Sequence, residues 1–235
     1  MVIKPQNSIE TCLYIVPTPI GNLKEITLRA IEILSNVDII ATEDTRRAGL
    51  LLKLLNIQHK EKLQSYYNFN EEEKSFELVK LIQKGFSVAL ISDAGTPCIS
   101  DPGYRLVKKA RENNIKIISL PGATAFVPAL VSSGFSNHCF TFWGFPPQKR
   151  GRQSFLKKII NNENTSILYE SSHRIRKLIS EIAEFDINRN IYISREISKI
   201  YEEHILFNTQ KFLNGEIKII EKGEFVIIIE GKIWK

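Results

Sequence analysis

Directly after the apolar run Val88–Ile91 comes Ser92-Asp93-Ala94-Gly95-Thr96-Pro97-Cys98-Ile99-Ser100-Asp101-Pro102-Gly103, twelve residues that hold two aspartates, two glycines and two prolines. Turn chemistry explains part of that composition. It does not explain a loop so long, so rich in small residues and oxygen ligands, at the carboxyl end of an expected strand, where open α/β sheets take their ligands. Asp93 and Asp101 alone are a weak case for Mg²⁺, because no second carboxylate cluster is visible in the sequence. A second loop, Pro17-Thr18-Pro19-Ile20-Gly21-Asn22, follows the first expected strand. Its prolines fix φ and Gly21 allows a tight turn or a close backbone approach. It is neither a GxGxxG fingerprint nor a phosphate loop ending in GK[ST], so nicotinamide and nucleoside triphosphate sites lose support.

Leu120-Pro121-Gly122-Ala123-Thr124-Ala125 is a third loop of small residues, able to act as a hinge and to lay backbone amides against a ligand near a helix start. Glu43-Asp44-Thr45-Arg46-Arg47 opens an expected helix. An acid there suits the helix dipole, whereas two arginines in the same turn oppose it, which suggests a task such as holding phosphate. Lys149, Arg150, Arg152, Lys157 and Lys158 fall within ten residues free of acids, beside Phe142, Trp143, Phe145 and Phe155. Such a run is either a solvated face over core aromatics or a surface for a nucleic-acid backbone with stacking groups nearby. His173-Arg174 and Arg195-Glu196 each follow an expected strand and could share one rim. His59, His138, His173 and His204 show no zinc-like spacing with cysteine or each other, so no metal site is expected. A GxSxG elbow and a reactive CxxC are both missing.

The elements that must position these residues read as α/β. Apolar, β-branched runs at Cys12–Val16, Val37–Thr42, Ser87–Ser92 and Lys116–Leu120 predict strands of a largely parallel sheet. Helices are expected from Thr27, from Thr45, and from Asn70 to Gly85, the last with Glu71, Glu72 and Glu73 in its first turn. The pattern breaks near residue 120 and starts again, which predicts two domains, 1–120 and 121–235. In the second, a helix from about Ala123, strands at His138–Trp143 and Thr165–Tyr169, and a helix over Ser172–Phe185 precede strands at Asn190–Ile197, Ile200–Phe207 and Phe225–Glu230. Only one short helical segment separates those last strands, so a mixed or largely antiparallel sheet is expected. Gly144–Gln153 reads as a mobile basic loop.

The chain has 235 residues, 43% of them hydrophobic and 25% charged, which excludes wholesale disorder and leaves room for a substantial core. A net charge of +6 favours a polyanionic partner only mildly. Three cysteines, with no close pairing, fit a reducing compartment. No run is long and apolar enough for a membrane span, and the N-terminus MVIKPQNSIE lacks the apolar stretch of a secretory signal, so a cytoplasmic location is expected.

In order along the chain, YIVPTPIGNL, DIIATEDTR, LISDAGTPCISDPG, ISLPGATA, FWGFPP with its basic loop, YESSHRI, SREISKIYEE and KGEFVIIIEG together resemble the tetrapyrrole methylase family, also called class III S-adenosylmethionine methyltransferases, and within it the members that modify ribosomal RNA. The resemblance runs from about Leu13 to Gly231. It implies the family's two-domain fold, with S-adenosylmethionine in a cleft between domains, usually in a homodimer. It also implies methyl transfer to the ribose 2′-hydroxyl of a cytidine in small-subunit ribosomal RNA, free or in the assembled subunit. By motif position the cofactor should meet Pro17, Thr18, Pro19, Ile20 and Gly21, then Asp93, Gly95, Thr96 and Pro97, then Thr124 and Ala125, with Tyr169, Gly223, Glu224 and Phe225 completing the pocket. The prolines of the first loop depart from the glycine-proline pattern of the porphyrinoid enzymes, which argues against such a substrate.

A sulfonium methyl is already activated, so the protein chiefly places the acceptor oxygen and provides for its proton. Glu43 or Asp44 is the expected base, with Glu196 in reserve. Arg46, Arg47, Lys149, Arg150, Arg152, His173, Arg174 and Glu196 are the expected substrate contacts, on a nucleotide splayed out of its fold. Two alternatives stay compatible with the residues: a small-molecule tetrapyrrole methyltransferase, and a non-catalytic ribosome-assembly module that keeps the pocket.

Overall fold

A computed structural model describes residues 9–58 and 61–232. Residues 1–8, on which most of the expected lack of a secretory signal rests, and His59 lie outside them. The chain divides into two compact units, Met1–Thr124 and Ala125–Lys235. The division falls four residues beyond the expected one because the Pro-Gly-Ala-Thr segment is tied into the first unit: Thr96 Oγ1 donates to Ala123 O at 2.8 Å and shares a 2.6 Å hydrogen bond with Thr124 Oγ1.

In the first unit β1 (Leu13–Ile15), β2 (Ile39–Thr42), β3 (Leu63–Ser65), β4 (Val88–Ile91) and β5 (Ile117–Ser119) form one sheet in the order β3-β2-β4-β1-β5. Every pairing is parallel. β1, β2 and β4 are wholly buried, as runs without polar alternation require when helices cover both faces. Successive β1 residues serve opposite layers. Tyr14 packs with Ala30, Leu34 and Leu52 of α1 (Leu28–Asn36) and α2 (Thr45–Leu54), while Leu13 and Ile15 pack with Leu78, Ile82 and Leu106 of α3 (Glu71–Gln83) and α4 (Tyr104–Glu112).

The helix starts follow local chemistry. Thr27 Oγ1 accepts from Ala30 N, and Asp44 accepts from Arg46 N and Arg47 N. Asn70, the expected cap of α3, makes no such bond; its side chain accepts from Tyr67 N instead. The α4 terminus is capped from a distance, with buried Glu71 accepting from Gly103 N and Arg105 N. β3 and α4 escaped the sequence reading: β3 is three residues at the sheet edge, and α4 buries only Leu106 and Ala110.

The second unit has β6 (Phe140–Gly144), β7 (Thr165–Ser171), β8 (Asn190–Arg195), β9 (Glu203–Asn208) and β10 (Glu224–Ile229), ordered β6-β7-β10-β8-β9. β6 and β7 are parallel and the other pairings antiparallel, so the sheet is mixed. On one face α6 (Arg152–Ile160), α7 (Ile175–Phe185) and the short α8 (Thr209–Leu213) bury Leu156, Leu178, Ile182 and Phe212; α5 (Phe126–Ser133) packs against β10 and β8. β8 ends where Glu196 and Ser198 adopt positive φ, and β9 begins only at Glu203, so the strands expected to reach Ile197 and to begin at Ile200 are both shorter.

The basic stretch departs furthest from the expected mobile loop. Gly144 closes β6 and Arg152 opens α6, which leaves only residues 145–151 as loop. Arg152 is no surface cation. It is 5% exposed, with Nε donating to Glu181 at 2.7 Å, Nη1 donating to Pro147 O at 3.0 Å, and Nη1 lying 3.6 Å from the fully buried carboxylate of Glu170. Removing one member of a buried ion cluster costs about 3–5 kcal/mol, against about 0–1 for an exposed pair. Arg152→Ala should therefore lower the stability of the chain by about 3–5 kcal/mol in urea unfolding, while Lys149→Ala and Arg150→Ala stay within about 0.5 kcal/mol of the parent. Equal effects from all three would contradict the buried assignment.

Candidate active site

Because the first sheet is entirely parallel, its loops at the carboxyl ends leave along a single edge. β1 lies between β4 and β5, so Pro17–Gly21, Ser92–Gly103 and Leu120–Thr124 are neighbours there, with Glu43-Asp44 after β2 next in line. Thr18 and Gly95 form an antiparallel bridge across the first two loops, N to O at 2.9 Å and 3.0 Å. The Thr18 hydroxyl donates to Ser92 O, and the Ser92 hydroxyl donates to Gly95 O. Gly122 lies so close to Pro17 that a Cβ there would sit 2.5 Å from the proline Cβ. Any side chain would push the first and third loops apart. Cys98 and Ser100 hold positive φ, an uncommon conformation for such residues that accumulates where structure over-determines a loop.

The acids on this edge behave differently. Asp44 is consumed locally: its oxygens receive both the backbone N–H of Arg46 and a two-pronged guanidinium contact at 3.2 and 2.9 Å. That bonding holds its carboxyl down at about 2 and makes Asp44 a weaker base than its neighbour Glu43. Glu43 is exposed, and desolvation by its neighbours followed by the Asp93 carboxylate raises its pKa, with Arg47 opposing. Asp93 Oδ2 accepts from Arg47 Nη1 at 3.2 Å, while its Oδ1 is buried without a hydrogen-bond partner, as is Thr42 Oγ1 at the end of β2. Asp101 is pushed up to about 6 by burial and then by the charges of Glu43 and Asp93, against a hydrogen bond from Ser92. The charges of Glu43 and Asp93 thus act on Asp101, and Arg47 is the counter-ion that Glu43 and Asp93 share. Among the described residues no group of three or more His, Cys, Asp or Glu is arranged to hold a metal ion.

In the second unit β7 and β8 both run antiparallel to β10, with Ser171 opposite Glu224 and Arg195 opposite Phe225. The register brings the ends of β7 and β8 and the Gly223-Glu224 turn to one rim. Tyr169 sits between Phe142 and Phe145, at centroid distances of 5.1 and 5.5 Å. Trp143 and Phe155 pack on the core, so among the aromatics beside the basic run only Phe145 is exposed. Phe225 is also core, leaving it only its backbone for a ligand. His173, Lys149 and Arg150 are exposed, whereas Arg174 is half-buried, with its Nε bonded to Ser171 Oγ and Glu170 Oε1 at 2.9 Å each.

Glu196, the reserve base and expected substrate contact, is a latch. Its Oε1 accepts from Glu224 N at 2.9 Å and Lys199 Nζ at 2.8 Å, and its side chain lies against Gly223, where a Cβ would come within 2.5 Å of its Cγ. Burial raises its pKa, but the Lys199 ammonium and the Glu224 amide outweigh that and hold it below the ordinary range. Both its charge and its position are committed to the Gly223 turn.

The profile of the family described as Tetrapyrrole (Corrin/Porphyrin) Methylases matches residues 12–212. The chain is 44% identical over 232 residues to the ribosomal RNA small subunit methyltransferase I of Pasteurella multocida, spanning 97% of this chain and 82% of that protein. It is 44% identical over 220 residues to the one of Hydrogenobaculum sp., spanning 92% and 94%. Among solved structures, a diphthine synthase is similar with TM-score 0.71 at 13% identity, over 93% of this chain and 89% of that one. Uroporphyrin-III C-methyltransferase from Thermus thermophilus, complexed with S-adenyl homocysteine, is similar with TM-score 0.59 at 17% identity, over 94% and 98%. The chain belongs to the tetrapyrrole methylase family. Within that family its sequence places it beside the relatives called ribosomal RNA small subunit methyltransferase I. No helix among the described residues is long and apolar enough to cross a membrane.

Asp101 binds its proton more tightly folded than unfolded, so its contribution favours folding below its ordinary value of 3.8 and is lost as pH rises through about 6. Asp101→Asn should gain stability relative to the parent across that window and hold the gain at neutral pH, as read by urea midpoints from pH 4 upward. Parallel curves for the two proteins would assign the proton elsewhere.

Proposed function

We propose that the chain transfers the methyl group of S-adenosylmethionine to the ribose 2′-hydroxyl of a cytidine in small-subunit ribosomal RNA, free or in the assembled subunit. The names of its relatives support the ribosomal substrate, and the family resemblance supports the cofactor and the hydroxyl acceptor. The structural observation that carries the reading is the meeting of three ligand-side loops with the exposed carboxylate of Glu43 on one sheet edge. The fit to the cofactor rests on that edge: Asp93 Oδ1 and Thr42 Oγ1 are buried there without partners, and Gly122 is packed bare against Pro17. Such unpartnered atoms are costly unless a ligand or water meets them.

In this reading Pro17, Thr18, Pro19, Ile20, Gly21, Asp93, Gly95, Thr96, Pro97 and Thr124 of the first unit hold the cofactor, largely through backbone, since Thr18 is already committed to Ser92 and Gly95. Ala125, Tyr169, Gly223, Glu224 and Phe225 are the contacts proposed for the second unit. When bound, S-adenosylmethionine supplies a methyl group on a sulfonium, already activated for attack by oxygen. Glu43 takes the proton of the ribose hydroxyl. Its raised pKa brings it closer to the working pH than an ordinary carboxylate, which favours general-base action. Desolvation by its neighbours and then like-charge repulsion from Asp93 sustain that shift, and the Arg47 guanidinium opposes it. Arg46, Lys149, Arg150, His173 and Arg174 contact phosphates. A ribosomal substrate fits a cytoplasmic location, and the resemblance a homodimer.

Incubating purified protein with small-subunit RNA and labelled cofactor should leave 2′-O-methyl on a cytidine; label on a base, or in no RNA, overturns the reading. Glu43→Gln should lower the transfer rate by about a hundredfold or more while calorimetry shows cofactor binding intact. A near-normal rate in that variant removes Glu43 from the role. Lys149→Ala with Arg150→Ala should weaken RNA binding and make log Kd less steep against log salt, by about one unit for each phosphate that is no longer neutralised.

A further inference from the structure

The turn after β3 carries two exposed aromatic side chains, one almost bare and one partly covered. Phe69 is 97% exposed and Tyr67 39%. Single exposed hydrophobes are ordinary; these two form an edge-on pair, with ring centroids 6.4 Å apart and planes at 63°. The turn that presents them is built. Tyr66 points inward, fully buried, with its hydroxyl bonded to Glu71 and Ser75. Asn70 then gives up capping α3: its carboxamide accepts from Tyr67 N at 2.8 Å and donates to Ser65 O at 3.2 Å, while Asn70 N donates to Tyr67 O. With the backbone fixed in this way, Tyr67 and Phe69 are held outward.

Their surroundings say what would meet them. β2 and β3 pair in register at Thr42 and Ser65, and Tyr66 N donates to Thr42 O, so the aromatic turn and the Glu43–Arg47 segment leave adjacent points of the same edge. Arg46 and Arg47 have side chains 90% and 71% exposed. Each guanidinium is ion-paired, to Asp44 and to Asp93, yet keeps most of its side chain open to solvent, and N–H donors beside exposed rings suit single-stranded nucleic acid, in which phosphates meet the donors and unstacked bases meet the rings. A purely apolar partner would have to take those ion pairs out of water.

We propose that Tyr67 and Phe69 form a stacking platform for an unpaired base of the RNA, next to the edge that bears Glu43. Phe69 offers its face to the base and Tyr67 braces it. This inference rests on the reading of the chain as an RNA methyltransferase and adds to it a second point at which the RNA is held.

The probe is a short single-stranded RNA with pyrrolocytidine at successive positions, whose fluorescence falls when the base stacks. The parent protein should quench one position. Phe69→Ala should abolish that quenching and weaken binding by about tenfold, Tyr67→Ala should weaken it less, and Phe69→Trp should restore both. Cofactor affinity by calorimetry and the unfolding midpoint should stay at the parent values in all three. Unchanged quenching in Phe69→Ala overturns the platform. So does self-association in sedimentation that disappears in Phe69→Ala, because a second copy then covers the rings. The two readings fail separately: quenching without methyl transfer to RNA removes the proposed reaction and leaves the platform, whereas transfer with unchanged KM and quenching in Phe69→Ala removes the platform alone.

Discussion

Thr18 and Gly95 exchange both of their backbone hydrogen bonds, and that small patch of antiparallel pairing holds two loops of a parallel sheet together. Strands β1 and β4 already lie side by side, but their loops are free to diverge once they leave the ladder. The bridge prevents this. Ser92 and the Thr18 hydroxyl add side-chain bonds to the same segment, and Gly122 against Pro17 fastens the third loop to the first. The result is an edge whose backbone is fixed by its own hydrogen bonds, leaving side-chain atoms such as Asp93 Oδ1 without a partner.

On so rigid an edge, electrostatics divides the acids by their partners and not by their position in the sequence. Glu43 and Asp44 are neighbours in the chain, yet one is raised and the other is held near 2. The difference is the Arg46 fork, which closes on Asp44, while Arg47 reaches across to Asp93. The two arginines that oppose the dipole of α2 are therefore balanced. Asp44 answers one of them at the cap itself, and the other is drawn off to the loop after β4. A charge pattern that suggests phosphate is in part a reason for the helix to begin where it does.

The strands buried on both faces were legible because a parallel sheet between two helical layers has no polar face, and the runs at Leu13–Ile15 and Val88–Ile91 say so directly. The loops after them were legible from glycine and proline. What could not be read was partnership across the sequence. Arg152 stands in a basic run and resembles its neighbours, yet Glu170 and Glu181, eighteen and twenty-nine residues on, take it into the core. Glu196 resembles a spare base until the antiparallel register of β8 and β10 sets it over Gly223. Asn70 has the residue type of a cap and the geometry of a turn clamp. In each case the residue type was right for two roles, and long-range pairing chose between them.

The second unit shows what that choice accomplishes. Its rim is organised by ions inside the protein: Glu170 holds Arg174 by one oxygen and faces Arg152 with the other, and Arg152 in turn fixes Pro147 at the base of the 145–151 loop. Buried charges are a costly way to stabilise a fold, and apolar residues of equal volume often serve better. Their value lies in direction. A guanidinium with two carboxylates and a carbonyl around it has few alternative positions, so the exposed Lys149 and Arg150 ride on a loop whose far end cannot drift. Cations meant for a phosphate backbone gain little from position if their support moves with them, and here the internal arginine is what gives the external ones a place.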